Sequence, residues 1–503
     1  MDLRFSMRSC GAWQPDDDEV IEDSRDRETL DPADWDELRV LGHRMLDDVF
    51  DDYDRVKSRR VWQRLPDSAK SALKVPAPKS GEPIEDVYAS FRRNVEPYSL
   101  GNRHPKFWGW VIGGGTPVGM LGDMLASAMN TNSGGFEQSS AYVEKQVIDW
   151  FKEIFGFPAG ATGLLVTSGS AANLTCLTVG RDAILGTVDK GLWALGEMPC
   201  VYTSEEVHNS VDKAMGVLGL GRSSLRKVKT HDDYSMDTDH LRELIREDRA
   251  RGARPVMVVA TAGTVATGAI DDIDTIADIC EEEGLWMHLD GAFGAMAALS
   301  DQLRPLVKGL NRADSIAFDL HKWMSVNFDA ACVIVKNGEK HMQSFAVQGS
   351  YLAALPGGIA VGGYLFSDLG IDLSRGFRAL KAWMSIKSYG FDKYARMIEK
   401  NVAQAKYLAG LVENEKSLEL VAPVPLNVVC FRYVAEGASA GEHDRINENI
   451  LVRLQEDGLA VPSGVRIGGR FALRVANVNH RSTRNDFDEL VRDVVRLGKE
   501  INR

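Results

Sequence analysis

Two residues, each at the end of an apolar run, carry the strongest chemical signal in this chain: Lys322, in Asp314-Ser-Ile-Ala-Phe-Asp-Leu-His-Lys-Trp323, and Asp290, in His288-Leu-Asp-Gly-Ala292. A primary amine can condense with an aldehyde. A carboxylate buried at a strand end needs a cation beside it, because leaving it unpaired is costly. Pyridoxal phosphate meets both demands at once: the amine forms a Schiff base with its aldehyde, and the carboxylate keeps the ring nitrogen protonated so that the ring accepts electrons. On this reading the chain is an enzyme.

A third feature would seat a phosphate. Thr167-Ser-Gly-Ser-Ala-Ala-Asn173 follows an apolar run and leads into a helix expected over Leu174–Asp182. Its small side chains let backbone N–H groups and the Ser168 and Ser170 hydroxyls approach an anion, helped by about half a positive charge at the helix start. The same serines also suit plain helix caps. The run is neither G-x-G-x-x-G nor a P-loop, which speaks against dinucleotide and nucleoside triphosphate chemistry. His208, in Ser204-Glu-Glu-Val-His-Asn-Ser210, can stack on a pyridine ring, and the hydroxyl of Thr264, in Ala260-Thr-Ala-Gly-Thr264, can bond a ring substituent. His288, Asp290 and His321 lack the spacing of a metalloenzyme motif, so no metal is expected.

Ligands of open α/β sheets bind at the carboxyl ends of the strands, so these residues require such a sheet. Gly163-Leu-Leu-Val-Thr167, Pro255-Val-Met-Val-Val-Ala260, Leu285-Trp-Met-His-Leu289 and Ala331-Cys-Val-Ile-Val335 read as buried strands between amphipathic segments. They imply an α/β layered domain with a mostly parallel sheet over residues 106–395. Residues 1–105 are charged, with helical periodicity from Trp35 to Leu46 and a Pro/Lys/Ser/Gly stretch at Val75–Pro83, and read as an arm without a core of its own. Residues 396–503 form a small α+β domain. A long helix at Tyr394–Asn414 leads into it, and strands at Asn427–Tyr433 and Arg470–Val475 are each followed by a helix.

A net charge of −13 opposes a nucleic-acid or anionic-membrane partner, so the phosphate site must be local. No run approaches 18 apolar residues, so no membrane helix is expected, and Met1–Asp31 shows no signal peptide. The six cysteines (Cys10, Cys176, Cys200, Cys280, Cys332, Cys430) form no C-x-x-C pair, which fits free thiols in the cytoplasm.

Read in order, His104-Pro-Lys-Phe107, Thr167-Ser-Gly-Ser170, Ser204-Glu-Glu-Val-His208, His288-Leu-Asp-Gly-Ala292, Asp314-Ser…His321-Lys-Trp323 and Ser374-Arg-Gly-Phe-Arg-Ala-Leu-Lys-Ala-Trp383 resemble the pyridoxal-phosphate-dependent group II amino-acid decarboxylases, relatives of aromatic-L-amino-acid decarboxylase. The resemblance runs from Trp35 to the C-terminus. It implies PLP fold type I, the aspartate aminotransferase-like architecture, as a homodimer with shared active sites and the N-terminal arm packed on the partner. It implies that Lys322 is the Schiff-base lysine, Asp290 the ring-nitrogen partner and His208 the stacking histidine. Ser168, Gly169 and Ser170 would bind the phosphate, while Thr264, Ala292 and His321 would line the cofactor. Tyr351, in Gly349-Ser-Tyr-Leu-Ala-Ala-Leu-Pro-Gly-Gly358, would lie on a mobile loop and protonate Cα after carbon dioxide leaves, since a phenol with a reference pKa of about 10 can donate near neutrality. The implied reaction converts an L-amino acid to its amine and carbon dioxide.

The chain departs from the family at several places. Leu320 stands where many members have proline, Gly291 where alanine is common and Gly376 where arginine is found. Asn132 and Gly134 occupy a stretch where animal aromatic decarboxylases present bulky apolar groups, while Trp108, Trp110 and Phe136 keep the neighbourhood aromatic. An aromatic or bulky substrate is expected, and a catechol-specific pocket is not. An aldehyde-forming oxidative decarboxylase or an aminotransferase would use the same Lys322 and Asp290. Tyr351 favours the amine, because aldehyde-forming members have phenylalanine there. A metal-dependent hydrolase and a catalytically silent binding protein are the readings from other classes.

Overall fold

The computed structural model describes residues 29–347, 358–359 and 365–503. They fall into two units, one ending at Tyr53 and one running from Asp54 to Arg503. In the first, the helix Trp35–Asp54 opens with Asp36 and Glu37, where the helix dipole favours acids.

The main sheet of the second unit has seven strands: β1 (Thr162–Val166), β2 (Pro199–Ser204), β3 (Leu225–Val228), β4 (Arg254–Thr261), β5 (Trp286–Asp290), β6 (Ser315–Asp319) and β7 (Ala331–Val335). Their order across the sheet is β1-β7-β6-β5-β4-β2-β3. The pairs from β3 to β6 are all parallel, whereas β7 runs antiparallel to both β6 and β1. Every residue of β5, β6 and β7 is buried, as a sheet covered on both faces demands. The four strands expected from apolar runs correspond to β1, β4, β5 and β7. Lys322, expected at the end of a strand, lies in the turn beyond β6, which stops at Asp319.

A second sheet joins β8 (Leu418–Leu420), β9 (Val428–Tyr433), β10 (Ser463–Ile467) and β11 (Arg470–Ala476) in the antiparallel order β10-β11-β9-β8. Its core packs Phe431, Leu473 and Val475 against Phe487, Leu490 and Val494 of the helix Arg484–Ile501. The large, mostly parallel layer and the smaller α+β part match the expected architecture. Within residues 1–105, expected as an arm, Val61 N–H donates to Gly458 O (3.2 Å), and just beyond them Phe107 bridges to Val461. Among the described residues no helix is long and apolar enough to cross a membrane.

Candidate active site

The parallel strands deliver their carboxyl ends to one region. β5 ends on Asp290, in register with Thr261 at the end of β4, and β6 leads into the turn that carries Lys322. β2 leads to His208, which caps the helix Asn209–Val217, and β1 leads to Ser168, which caps Gly169–Leu185. Helix Gly169–Leu185 ties these ends together: Asn173 donates to Asp290 Oδ2 (2.8 Å) and to Ser210 Oγ (3.0 Å), which meets His208 Nδ1 (2.8 Å), and Gly169 abuts Asp319, the partner of Lys322.

Asp290 is buried, and both its oxygens are held: Asn173 Nδ2 donates to one (2.8 Å) and Ala292 N–H to the other (3.1 Å). Among the described residues no lysine or arginine pairs with it. Behind it runs a fully assigned network. Asn173 spends its second N–H on Ser210 Oγ (3.0 Å), and its Oδ1 faces His288 Nε2 (3.0 Å). His288 Nδ1 meets Ser315 Oγ (3.0 Å), which accepts from Trp286 Nε1 (3.0 Å). Burial pushes the His288 imidazole down to about 4, so it is neutral, with its proton on Nε2 toward Asn173.

Lys322 Nζ forms an ion pair with Asp319 Oδ2 at 2.7 Å. His321 Nε2 lies 3.9 Å from the other oxygen, and its Nδ1 sits 2.8 Å from Ala330 O and 3.1 Å from Ala330 N. The lysine turn is backed by glycine: a side chain at Gly113 would sit 2.4 Å from Lys322 O. Gly169 likewise has no room for a Cβ, which would lie 2.7 Å from Asp319 Oδ2.

His208 Nδ1 accepts from Ser210 N–H (3.2 Å), which leaves the ring proton on Nε2. Its pKa is lowered, chiefly by burial, against the opposing pull of Asp290. Ser168 accepts from Ala171 N–H (3.3 Å), so the capping role is present, and the helix starts five residues before its expected first residue. Ser170 lies in that first turn. Thr264 is buried and its hydroxyl accepts from Ala269 N–H (3.1 Å) within its own turn. Tyr351 falls outside the described residues.

The residues expected to form a substrate pocket have separate surroundings. Trp108 is withdrawn from it: the indole stacks on Phe487 at 4.9 Å and donates to Ser482 Oγ, inside the core of the small sheet. Burial of an indole against apolar partners with its N–H satisfied is a packing role. Trp110 is exposed at a positive φ of 53°, and Phe136 has φ 72°. Asn132 uses its carbonyl to hold Gly134 N–H (3.1 Å) and Arg375 N–H (2.9 Å), pinning segments 132–134 and 373–375 together. Gly134 abuts Leu373 O, which a Cβ would meet at 2.6 Å.

Two of the departures have structural reasons. Leu320 N–H donates to Ala330 O (3.0 Å), a bond proline cannot make, and a Cβ at Gly291 would sit 2.6 Å from Ala295 Cβ. Nothing in the structure explains Gly376. Sequence reasoning missed Asn173 and Ser210 as supports of Asp290, and Asp319 as partner of Lys322. For Asp319 a signal existed: it is the one charge in the run Ser-Ile-Ala-Phe-Asp, three residues before the lysine.

These residues fit pyridoxal phosphate. A buried carboxylate with two donors and no cation suits a ring N–H, an amine nearby suits an aldehyde, and a helix start of small residues suits a phosphate. Comparison with known proteins agrees. Residues 66–434 match the family model described as the pyridoxal-dependent decarboxylase conserved domain. An aromatic-L-amino-acid decarboxylase of Bacillus atrophaeus is 32% identical over 93% of this chain and 96% of its own length. A phenylacetaldehyde synthase of a Rosa hybrid cultivar is 29% identical over 91% and 92%. The crystal structure of Oryza sativa TDC with PLP and tryptamine superposes with a TM-score of 0.87 at 26% identity, covering 94% of this chain and all of that one. The chain therefore belongs to the pyridoxal-dependent decarboxylase family and is a pyridoxal-phosphate-dependent carboxy-lyase acting on an L-amino acid.

Proposed function

We propose that this enzyme decarboxylates an aromatic L-amino acid to its amine, with Lys322 as the attachment residue of the cofactor and Asp290 as the partner of its ring nitrogen. One observation carries the assignment: the buried Asp290 carboxylate has two hydrogen bonds and no cation, at the end of the strand beside the one that leads to the Lys322 amine. When bound, pyridoxal phosphate supplies an electron sink for the bonding pair left by departing carbon dioxide.

The protein does the rest. Asp290 holds a proton on the ring nitrogen, and Asn173 and the Ala292 N–H stop its carboxylate from rotating away. His208, neutral with its proton on Nε2, covers the ring. Ser168, Gly169 and Ser170 take the phosphate at the helix start, and Thr264, Ala292 and His321 line the remaining edge. Tyr351 delivers the proton to Cα. An aromatic substrate is supported by the kinship with an aromatic-L-amino-acid decarboxylase and by the aromatic side chains of Trp110 and Phe136. Asn132 and Gly134 would add no apolar bulk beside them. We take the enzyme to be a cytoplasmic homodimer with shared active sites and its N-terminal arm on the partner; the five described cysteines, all buried and free, suit a reducing compartment.

An aldehyde-forming outcome is the second reading, favoured by the likeness to phenylacetaldehyde synthase and opposed by Tyr351. Carbon dioxide release should be measured over L-Trp, L-Tyr, L-Phe, L-His, L-Glu and aliphatic amino acids, with the organic product identified. Release from aromatic substrates with amine as product is expected. Release confined to glutamate or aliphatic substrates refutes the substrate class, and aldehyde as main product refutes the role of Tyr351.

A further inference from the structure

The Lys322–Asp319 ion pair lies outside the set of residues that would hold the cofactor's ring and phosphate. Asp319 is 1% exposed, and apart from the Lys322 ammonium neither of its oxygens has a hydrogen-bond donor among the described residues. Its compensation is the Lys322 ammonium at 2.7 Å, with His321 Nε2 more distant at 3.9 Å. A carboxylate buried that deeply with no other partner is costly, so the pair holds both groups in place. The carboxylate also touches the phosphate cradle, because Gly169 leaves no space between its backbone and Asp319 Oδ2.

We propose that Asp319 is a positioning residue for Lys322: its carboxylate fixes the amine beside the phosphate cradle in the free enzyme and, after the cofactor is attached, keeps the linked nitrogen protonated. Attachment forms one carbon–nitrogen double bond as the amine attacks the aldehyde carbon, and the carbonyl oxygen leaves as water. The linked nitrogen would hold its proton, and its positive charge, up to a higher pH when an anion of the protein stands beside it in addition to the cofactor's own ring oxygen. Asp319 is that anion. Asp290, the other carboxylate of the cluster, has its oxygens committed to Asn173 and the Ala292 N–H and forms no ion pair with Lys322. The imidazoles that face the pair, His208 from the start of helix Asn209–Val217 and His321 from the lysine turn itself, are both pushed down by burial and supply no competing charge near neutrality.

The inference rests on Lys322 being the attachment residue, and the test separates the two. Reductive trapping and peptide mapping first locate the cofactor. The absorbance of the unreduced holoenzyme is then titrated with pH, following conversion of the yellow, protonated linkage to its near-ultraviolet, unprotonated form. Asp319→Asn keeps the shape and removes the charge; an opposite charge this close is worth about 1–3 pH units, so the midpoint should fall by that much. Should the amide variant fail to fold by circular dichroism, Asp319→Ser, smaller and neutral, takes its place with the same expected shift. An unmoved midpoint or a midpoint moved upward overturns the role of Asp319, whereas a folded variant that takes up no cofactor supports its part in fixing the amine. A label on another lysine overturns instead the assignment of Lys322.

Discussion

Removing the Arg375 guanidinium should cost this protein a large part of its stability, and a second substitution should restore most of it. Arg375 and Glu144 are both fully buried and meet at 2.5 Å. Arg375 also donates to Leu165 O (2.6 Å) at the end of β1 and to Ser133 O (3.1 Å), while Glu144 accepts from Leu165 N–H (2.8 Å). Arg375→Met leaves the Glu144 charge with one backbone donor and no cation, a change of about 3–5 kcal/mol. The carbonyls of Leu165 and Ser133 lose donors as well, which places the expected cost toward the upper end of that range. Glu144→Leu should cost a similar amount by orphaning the guanidinium. The double variant strands no charge and should lie within about 2 kcal/mol of wild type, giving a coupling of roughly 3 kcal/mol or more. Urea unfolding of the four proteins, followed by circular dichroism, measures this cycle. Single variants within 1 kcal/mol of wild type by the same fit, or a double variant as damaged as the sum of the singles, would refute the view that this pair ties Ser133 and the 373–375 segment to the sheet.

Other consequences follow from the cluster around Asp290 and from the buried imidazoles. Asp290→Asn should still take up cofactor on Lys322 but lose decarboxylation by on the order of 10²-fold or more, because an amide cannot hold the ring proton as a charge does; near-normal turnover removes Asp290 from the chemistry. Tyr351→Phe should raise aldehyde, ammonia and peroxide at the expense of amine, and amine formed at the wild-type rate would show the proton comes from elsewhere. His288, His341 and His480 are each held near 4 by burial, against an unfolded value of about 6.5. They are neutral in the fold and charge on unfolding, so their stabilisation is complete above pH 6.5 and disappears as pH falls toward 4, on the order of 3 kcal/mol for each. Urea midpoints that stay level from pH 7 to pH 4.5 would contradict this.

The large sheet was legible where its strands are unbroken apolar runs. β7, Ala-Cys-Val-Ile-Val, declares itself, whereas β2, Pro-Cys-Val-Tyr-Thr-Ser, and β3, Leu-Arg-Lys-Val, carry polar residues and escape that pattern. Lys322 and Asp290 stood out because an amine and an acid beside apolar runs need a reason. Asn173 did not, since its role depends on a helix bringing it to Asp290, 117 residues away in sequence. Trp108 misled for the opposite reason: an aromatic beside a predicted site looks like a pocket wall, and only the fold reveals that Phe487, near the far end of the chain, claims it. The positive φ of Phe136 and the hydrogen bonds of Asn132 are likewise tertiary facts without a local signature.

The central claim, that Lys322 carries the cofactor opposite Asp290, is tested most directly by borohydride reduction of the holoenzyme followed by peptide mass mapping. A pyridoxyl adduct on Lys322, within the peptide that also holds His321 and Trp323, is the predicted result. An adduct on any other lysine, or none after full reduction of a yellow enzyme, would contradict it.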